Sequence, residues 1–263
     1  ETTIVLIPKV KNQEKVTEFR PISLCNVLYK LISKVLANWL KEILPEIISP
    51  TQSTFVPGRM ITNNMLLAYE ITHLMHKRKG GRKGLVAVKL DMSKAYDRVE
   101  WGFLERVMIK MGFAEQWVHL IMKCVRSVSY RVKINRSLSE VITLGRGLRQ
   151  GDPLSPYLFI MCAEAFSAVL YQAEQEGSIQ GVQICRGAPK INHLFFADDS
   201  LIVMKATAEG AAKLQQILAL YEDQSGQMIN KEKSNAMFSK GTSVNTRGAV
   251  LAGLGIVEES FNQ

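Results

Sequence analysis

Two adjacent aspartates are the residues in this sequence whose type and spacing best suit metal chemistry. Asp198 and Asp199 separate the apolar segments 191–196 and 201–204, which predict two strands around a tight turn. We expect both carboxylates at the tip of a hairpin. Neighbouring carboxylates repel each other, and a divalent cation such as Mg²⁺ removes that cost because it takes their oxygens as ligands. An ordinary turn is the alternative, since aspartate favours turns whatever its role.

A third aspartate, Asp91, ends the apolar segment 85–90, which predicts a buried strand. If this strand lies beside the hairpin, three carboxylates meet at one end of a sheet. Such a cluster suits two metal ions ~4 Å apart that stabilise an in-line phosphoryl transfer. Asp91 could also cap the segment that follows it, and a capping role is compatible with metal binding.

A glycine-rich segment at 145–156, with the sequence GRGLRQGDPLSP, precedes a long apolar run. Pro153 predicts the first turn of a helix that ends near Gln175. Glycine permits close approach of a ligand to the backbone, and a helix N-terminus favours phosphate. The pattern alone is weak, because any flexible connection has a similar composition.

The remaining segments mix strand and helix patterns without regular alternation. Periodic apolar residues predict a helix over 24–44 that ends at Pro45, and Thr207 is expected to cap a helix that ends at Asp223. This mixture favours an α+β fold in which helices pack on an antiparallel sheet. The other predicted elements are strands at 3–7, 128–134 and 140–144 and helices at 62–79, 101–111 and 115–125.

Composition limits the class of protein. The chain has 263 residues, and 33 Lys plus Arg against 24 Asp plus Glu give a net charge of +9. Such an excess favours a polyanionic partner, either nucleic acid or an anionic membrane surface. No apolar segment approaches the ~20 residues of a membrane span. Of the two polyanions we favour nucleic acid and expect no membrane partner. The four scattered cysteines indicate a reduced, intracellular protein of the cytoplasm, the nucleus or both.

Five cations flank a pair of glycines within residues 76–83. A charged run of this kind predicts either a solvated surface or a salt-sensitive contact with nucleic-acid phosphates. The residues assigned to the nucleic-acid contact are Lys77, Arg78, Lys79, Arg82 and Lys83.

Six segments together resemble the reverse transcriptase of LINE-type non-LTR retrotransposons, particularly those of plants. They occur in the family's order, cover roughly residues 4–239, and are far more specific as a set than the paired aspartates alone. The segments are FRPISL at 19–24, QS and FVPGR within 52–59, DMSKAYD at 91–97, LRQGDPLSP at 148–156, FADD at 196–199, and the segment from SG to KS at 225–234.

The resemblance implies a right-hand polymerase fold with fingers and palm, in which an antiparallel palm sheet packs on helices. Family members also carry a helical thumb after the palm, and we expect the thumb to be absent here because no such segment is recognisable before Gln263. The missing initiator methionine agrees with a fragment of a longer reading frame. The implied divisions are fingers at 1–84, palm at 85–112, a fingers/palm hairpin region at 113–145, palm at 146–239, and a truncated connection toward the missing thumb at 240–263.

The implied activity is RNA-directed DNA polymerisation, in which a DNA primer grows on an RNA template by nucleotide transfer from dNTPs. Asp91, Asp198 and Asp199 match the catalytic aspartates that bind two Mg²⁺ ions, for which Mn²⁺ is an alternative. The Met92 carbonyl is a further implied ligand. One ion lowers the pKa of the primer 3′-hydroxyl, and the other neutralises the triphosphate and the departing pyrophosphate.

Five matched positions are expected to contact the incoming nucleotide. Tyr96 matches an aromatic steric gate that excludes a ribose 2′-hydroxyl and so favours dNTPs over ribonucleotides. Gln150 and Gly151 match a segment that lies against the nucleotide and the template. Arg20 and Lys30 match basic positions that reach the triphosphate, although Lys30 also suits a solvated helix surface.

Two further matches concern the nucleic acid and the pyrophosphate. Arg59 matches a phosphate or template contact, with an ordinary surface arginine as the alternative, and Lys233 matches a lysine that acts as general acid for pyrophosphate. A truncated, catalytically silent retroelement remnant that at most binds nucleic acid is the alternative function. An RNA-dependent RNA polymerase is disfavoured by Tyr96 and by the family's segments.

Overall fold

The computed structural model describes residues 1–78 and 84–259. The chain forms two compact units. Unit 1 comprises Glu1–Ile47 and Tyr96–Cys162, and unit 2 comprises Ile48–Ala95 and Ala163–Gln263. In chain order the elements are β1 (Thr2–Pro8), a 3-10 turn (Val16–Glu18), β2 (Phe19–Leu24), α1 (Val27–Ile47), α2 (Ile61–Lys77), β3 (Leu85–Leu90), α3 (Ala95–Arg98), α4 (Trp101–Lys110), α5 (Glu115–Arg126), β4 (Ser129–Ile134), β5 (Ser137–Leu138), β6 (Ile142–Thr143), α6 (Ser155–Gln175), β7 (Val182–Gln183), β8 (Lys190–Ile191), β9 (His193–Phe196), β10 (Asp199–Lys205), α7 (Ala208–Ser225), β11 (Asn235–Phe238), α8 (Val244–Leu254) and β12 (Val257–Glu258).

Unit 1 contains a sheet in the order β2-β1-β4-β5, in which β6 also pairs with β4. β1 and β2 are antiparallel, with Thr3 opposite Leu24, whereas β1 and β4 are parallel, with Thr2 opposite Tyr130. The helices α4 and α5 bury an apolar side that includes Leu104 and Ile121. This sheet holds β2, the strand that precedes α1.

Unit 2 contains the sheet that carries the aspartates, in the order β12-β11-β3-β10-β9. The central strand β3 pairs antiparallel with β10 and with β11, and every β3 residue except Lys89 is buried. Burial on both faces explains why this strand is a nearly continuous apolar run. The prediction of an α+β fold is therefore confirmed, and the sheet is antiparallel from β11 to β9, while β12 pairs with β11 in parallel.

Helices cover both faces of the unit 2 sheet. On one face, Ile71 and Met75 of α2 join a buried cluster with Leu85, Leu194 and Val203 of the strands. On the other face, the rings of Phe166 and Phe195 stack with centroids 5.5 Å apart, and the rings of Phe166 and Tyr221 with centroids 4.8 Å apart. The strand β9 is thus held between aromatic and aliphatic layers.

Most helix ends follow local sequence signals. The Thr207 hydroxyl caps α7 by accepting a hydrogen bond from the Gly210 N–H at 3.0 Å, as predicted. The prediction that Pro45 ends α1 is wrong, because the helix continues to Ile47. The proline removes one backbone donor near the end of a 21-residue helix, while the helix buries a continuous apolar side around Leu40. The long helix α6 begins at Ser155, two residues after Pro153.

Candidate active site

The end of the unit 2 sheet brings two of the predicted aspartates to opposed positions. Leu90 of β3 pairs with Ser200 of β10 in an antiparallel register. The next opposed positions along these strands are Asp91, immediately after β3, and Asp199, the first residue of β10. Opposed residues of an antiparallel pair have Cα atoms about 5 Å apart. The register therefore confirms that the strand before Asp91 lies beside the hairpin.

The turn of the hairpin differs from the prediction in one respect. Its two central residues are Ala197 and Asp198, while Asp199 pairs with Phe196 across the hairpin. Asp198 alone of the two adjacent aspartates is thus a turn residue. Successive side chains of a strand lie on opposite faces of the sheet. The position of Asp199 within β10 therefore determines on which face its carboxylate lies.

The three carboxylates suit a divalent cation by their chemistry, because Mg²⁺ prefers carboxylate oxygens as ligands. Asp198 and Asp199 are exposed, and Asp91 is half-buried, so their oxygens have access to solvent. Within residues 1–78 and 84–259, no three His, Cys, Asp or Glu side chains are grouped closely enough to hold an ion in the present conformation. Hard oxygen ligands at one sheet end fit Mg²⁺, and closing the group around an ion would relieve the repulsion between the carboxylates.

The backbone around Asp91 is anchored by the segment that follows α7. The Asp91 N–H donates to the Ser234 hydroxyl at 3.1 Å, and the Asn230 N–H donates to the Asp91 carbonyl at 2.8 Å. Met92, the other predicted metal ligand of this segment, is buried and forms an isolated antiparallel bridge with Ile229. The block at 225–234 therefore holds the end of β3 in place.

Lys233 lies in the turn between Asn230 and β11. Its backbone N–H donates to the Asn230 carbonyl at 3.2 Å, and the residue is exposed. The ammonium group is thus accessible at the end of the sheet where β3 ends. Its assignment as a general acid stays a prediction.

A groove of about 380 Å³ lies beside Asp199 on the α2 face of the sheet. Apolar side chains dominate its lining, including Met65 of α2, Phe196 of β9 and Leu201 of β10, and Lys89 also borders it. The Asp199 position is therefore bordered by an open and largely apolar surface.

Arg59 contributes to the architecture of unit 2. Its guanidinium donates to the carbonyl oxygens of Ile48 at 2.6 Å, Ser49 at 2.5 Å and Gln52 at 2.8 Å. Burial lowers its pKa. These contacts fold the loop before α2, a role that sequence analysis did not assign, while its predicted phosphate contact stays a prediction.

Tyr96, the predicted steric gate, lies in unit 1 on the short helix α3. Its ring is half-buried and stacks on the ring of Phe159, with centroids 4.9 Å apart and planes 11° apart. Its carbonyl accepts a hydrogen bond from the Leu148 N–H at 2.7 Å. The ring thus has a fixed orientation, as a steric gate requires, and its role stays a prediction.

Gln150 and Gly151 lie against β2 in unit 1. The Ser23 N–H donates to the Gln150 carbonyl at 2.8 Å, and the Gln150 amide donates to Asp97 at 3.4 Å. Gly151 has a φ of +99°, and a Cβ at this position would lie 3.2 Å from the Ser23 carbonyl oxygen. Both the backbone conformation and the close approach favour glycine.

The same segment contains a buried ion pair that sequence analysis missed. Arg149 and Asp152 are 3.3 Å apart, with side chains only 6% and 3% exposed. Arg149 also donates to the Cys124 carbonyl at 2.5 Å, and the Tyr29 hydroxyl donates to Asp152 at 2.6 Å. Arg146 forms a more exposed ion pair with Glu100. The arginines of this glycine-rich segment therefore serve internal contacts, and the spacing of Arg149 and Asp152 by three residues was the available signal.

The remaining basic candidates that the structure describes are exposed or half-buried. Arg20 on β2 and Lys30 on α1 are exposed in unit 1, and in unit 2 Lys77 is exposed while Arg78 is half-buried after α2. Their assigned contacts stay predictions. The other three predicted nucleic-acid residues lie outside the described residues: Lys79, Arg82 and Lys83.

A family model described as reverse transcriptase (RNA-dependent DNA polymerase) matches residues 7–251. The chain belongs to the reverse transcriptase family. This reverse transcriptase domain is similar to a protein of transposon TX1 from Xenopus laevis, with 31% identity over 232 residues. It is also similar to the Pol polyprotein of retrotransposable element R2 from Nasonia vitripennis, with 29% identity over 233 residues. Each alignment covers 88% of this chain but only 17% and 21%, respectively, of the relative.

These relatives identify the reverse transcriptase domain as one of the non-LTR retrotransposon type, which confirms that part of the prediction. The chain is also similar to an uncharacterized mitochondrial protein of Arabidopsis thaliana, with 49% identity over 67 residues. This alignment covers 26% of the chain and 55% of the relative. Within the described parts of the chain, no helix combines the length and the apolar character needed to cross a membrane.

Solved structures agree with the fold. The reverse transcriptase domain resembles telomerase from Candida tropicalis in complex with a fragment of telomeric RNA, with a TM-score of 0.61 and 14% identity. The alignment covers 93% of this chain and 42% of the telomerase chain. A structure of apo telomerase from the same yeast, truncated from its C-terminal domain, also gives a TM-score of 0.61. The likeness supports a polymerase fingers and palm fold, as predicted.

Proposed function

We propose that this domain is the RNA-directed DNA polymerase of a plant LINE-type retrotransposon. It would transfer nucleotides from dNTPs to the 3′-hydroxyl of a DNA primer on an RNA template. The observation that carries the proposal is the register that opposes Asp91 and Asp199 at one sheet end, with Asp198 in the adjoining turn. The Arabidopsis relative supports a plant source.

We assign metal binding to unit 2, which contains the three aspartates. Asp91, Asp198 and Asp199 would hold two Mg²⁺ ions, or Mn²⁺ in their place, with the Met92 carbonyl as an added ligand. When bound, such ions lower the pKa of the attacking hydroxyl and neutralise charge on the triphosphate and pyrophosphate. β3 and β10 would position these ligands, because the two strands pair with each other inside the sheet and every β3 residue except Lys89 is buried.

We assign selection of the incoming nucleotide to residues of unit 1. The Tyr96 ring, held by its stack on Phe159, would occupy the space that a ribose 2′-hydroxyl needs. Gln150 and Gly151 would contact the nucleotide and the template from the segment that the Arg149–Asp152 pair stabilises. The exposed side chains of Arg20 and Lys30 would meet the triphosphate.

The nucleic acid would bind to basic side chains, and the protein would act inside the cell, in the cytoplasm, the nucleus or both. Lys77 and Arg78, together with Lys79, Arg82 and Lys83, would contact phosphates, as would Arg59. Lys233 would donate a proton to the departing pyrophosphate. The net charge of +9 supports a polyanionic partner, and such binding weakens steeply with salt.

A primer-extension experiment tests the proposal. The chain would be given an RNA template, a complementary DNA primer, dNTPs and Mg²⁺, and product length would be measured. We expect extension that Asp199→Asn abolishes, while Asp223→Asn, a matched change at an exposed aspartate on α7, leaves it intact. Retained RNA binding without extension by the unchanged chain would instead support the catalytically silent alternative.

A further inference from the structure

A short segment before α2 pairs with the outer edge of the catalytic hairpin. Gln52 forms a parallel bridge with Phe195 of β9. The Phe195 N–H donates to the Thr51 carbonyl at 2.8 Å, and the Ser53 N–H donates to the Phe195 carbonyl at 3.3 Å. β9 is the outermost strand of the five-stranded sheet, so this segment supplies hydrogen bonds that an edge strand otherwise lacks.

The Gln52 side chain extends these contacts into the turn of the hairpin. It is 1% exposed, and its Oε1 accepts a hydrogen bond from the Ala197 N–H at 3.2 Å. The same oxygen accepts from the Thr54 N–H at 3.0 Å, which fixes the side chain to its own loop. Ala197 directly precedes Asp198. A buried side chain therefore contacts the backbone one residue away from a predicted metal ligand.

The turn needs such support because Ala197 has an unfavourable backbone conformation. Its φ is +53°, in the left-handed region that side chains with a Cβ rarely adopt. Two-residue hairpin turns usually place glycine at a first central position with positive φ. Strained residues of this kind persist only where surrounding contacts hold them. The hydrogen bond from the Ala197 N–H to Gln52 is such a contact.

Asn64 fixes the segment to α2 and to β9 at once. Its amide donates to the Thr51 carbonyl at 2.8 Å and to the Phe195 carbonyl at 2.9 Å, and the residue is buried. The Asn64 amide thus joins α2 to the segment before it and to the edge of the hairpin. Asn64 therefore holds both Thr51, which precedes Gln52 in the chain, and Phe195, which pairs with Gln52.

We propose that Gln52 is a positioning residue that fixes the Ala197 backbone and thereby sets the positions of Asp198 and Asp199 for metal binding. The inference rests on the proposed function, since it assigns Gln52 a part in the same reaction. Gln52 is predicted to act through the hairpin backbone and to contact neither the nucleotide nor the metal ion.

Two variants separate this role from a general packing role. Gln52→Leu keeps a side chain of similar size but removes the acceptor for the Ala197 N–H. Ser53→Ala is the matched control, because it lies in the same buried segment and its hydroxyl makes no hydrogen bond with the described residues. Ala197→Gly, combined with Gln52→Leu, tests rescue, since glycine adopts positive φ without steric cost.

The first measurement is Mn²⁺ binding to the full chain, followed by the electron paramagnetic resonance of the free ion. We expect Gln52→Leu to weaken Mn²⁺ affinity about tenfold, because displaced ligands lose their common geometry. Ser53→Ala should bind Mn²⁺ like the unchanged chain, and Ala197→Gly should restore part of the affinity lost in Gln52→Leu. Unchanged affinity in folded Gln52→Leu would overturn the inference, whether or not the chain extends primers.

The second measurement is the dependence of primer extension on Mg²⁺. Gln52→Leu should lower kcat and raise the Mg²⁺ concentration for half-maximal rate by about tenfold, with little change in the KM for dNTP. A lower kcat with an unchanged Mg²⁺ requirement would indicate only a smaller folded fraction and would contradict the role. An unchanged chain that extends no primer would defeat the proposed function, while the Mn²⁺ result would still decide the inference.

Discussion

Tyr96 illustrates how a single side chain is oriented for its proposed task. The ring stacks on Phe159, and the Tyr96 carbonyl accepts a hydrogen bond from the Leu148 N–H. Both the side chain and the backbone of Tyr96 are therefore fixed. A fixed ring discriminates between sugars only if it occupies the space of the 2′-hydroxyl. Sequence analysis identified the residue from its segment, and the stacking partner became evident only in the fold.

Replacing Tyr96 by Val should relax sugar selection. We expect ribonucleotide incorporation relative to dNTP incorporation to rise about tenfold or more, because the clash with the 2′-hydroxyl is removed. Single-nucleotide addition with each substrate measures the ratio of kcat/KM values. Tyr96→Phe keeps the ring and should retain selection. Equal discrimination in Tyr96→Val and the unchanged chain would rule out the steric gate.

The buried pair of Arg149 and Asp152 should matter for stability. Arg149→Met leaves Asp152 without its ionic partner in the interior of unit 1, where both side chains are less than a tenth exposed. Removal of one partner of a buried pair typically costs about 3–5 kcal/mol in the free energy of unfolding. Urea denaturation measures this loss. Arg146→Met, at the exposed pair with Glu100, should cost less than about 1 kcal/mol, and equal losses would contradict the assignment.

At the scale of elements, β9 is stabilised by a buried polar network as well as by its strand pairing. The His193 Nε2 lies 2.8 Å from the hydroxyls of both Thr51 and Ser167, and its Nδ1 lies 2.5 Å from the Asn192 side-chain oxygen. Burial lowers the pKa of His193 to about 4. The imidazole is therefore neutral in the folded state at physiological pH.

This lowered pKa predicts how stability depends on pH. The unfolded chain, with a histidine pKa of about 6.5, binds a proton more readily than the folded chain. Stability should therefore be complete above pH 6.5 and fall as the pH decreases toward 4, by up to about 3 kcal/mol from this group. Thermal or urea unfolding across this range measures it. The slope should flatten in His193→Gln but persist in His119→Gln, which changes an exposed histidine.

The elements were predictable where their signals are local. β3 is an uninterrupted apolar run apart from Lys89, and Thr207 caps α7 through a contact three residues away. The hydrogen bond between Gln52 and Ala197 joins residues 145 positions apart, and no local pattern marks it. The aspartates could therefore be predicted from the sequence, because they lie at the ends of recognisable strands. Gln52, which supports their turn, could not.

At the scale of the whole molecule, the net charge of +9 should govern nucleic-acid binding. A Lys77→Ala and Lys79→Ala double variant should reduce the slope of log affinity against log salt by up to about 2, because each phosphate contact releases counterions. Fluorescence anisotropy with a primer–template duplex measures this slope. Lys110→Ala, at an exposed position in unit 1, serves as the control. A slope that changes equally in both variants would contradict a local contact at 77–83.

The central claim is that the carboxylates at the end of β3 and β10 support template-directed DNA synthesis. The most direct measurement is the first nucleotide added to a DNA primer on an RNA template of defined sequence, in Mg²⁺, with each dNTP supplied separately. We predict addition of only the nucleotide complementary to the template, and its loss in both Asp91→Asn and Asp198→Asn. Equal addition by the unchanged chain and by these variants, or addition without regard to the template, would contradict the account.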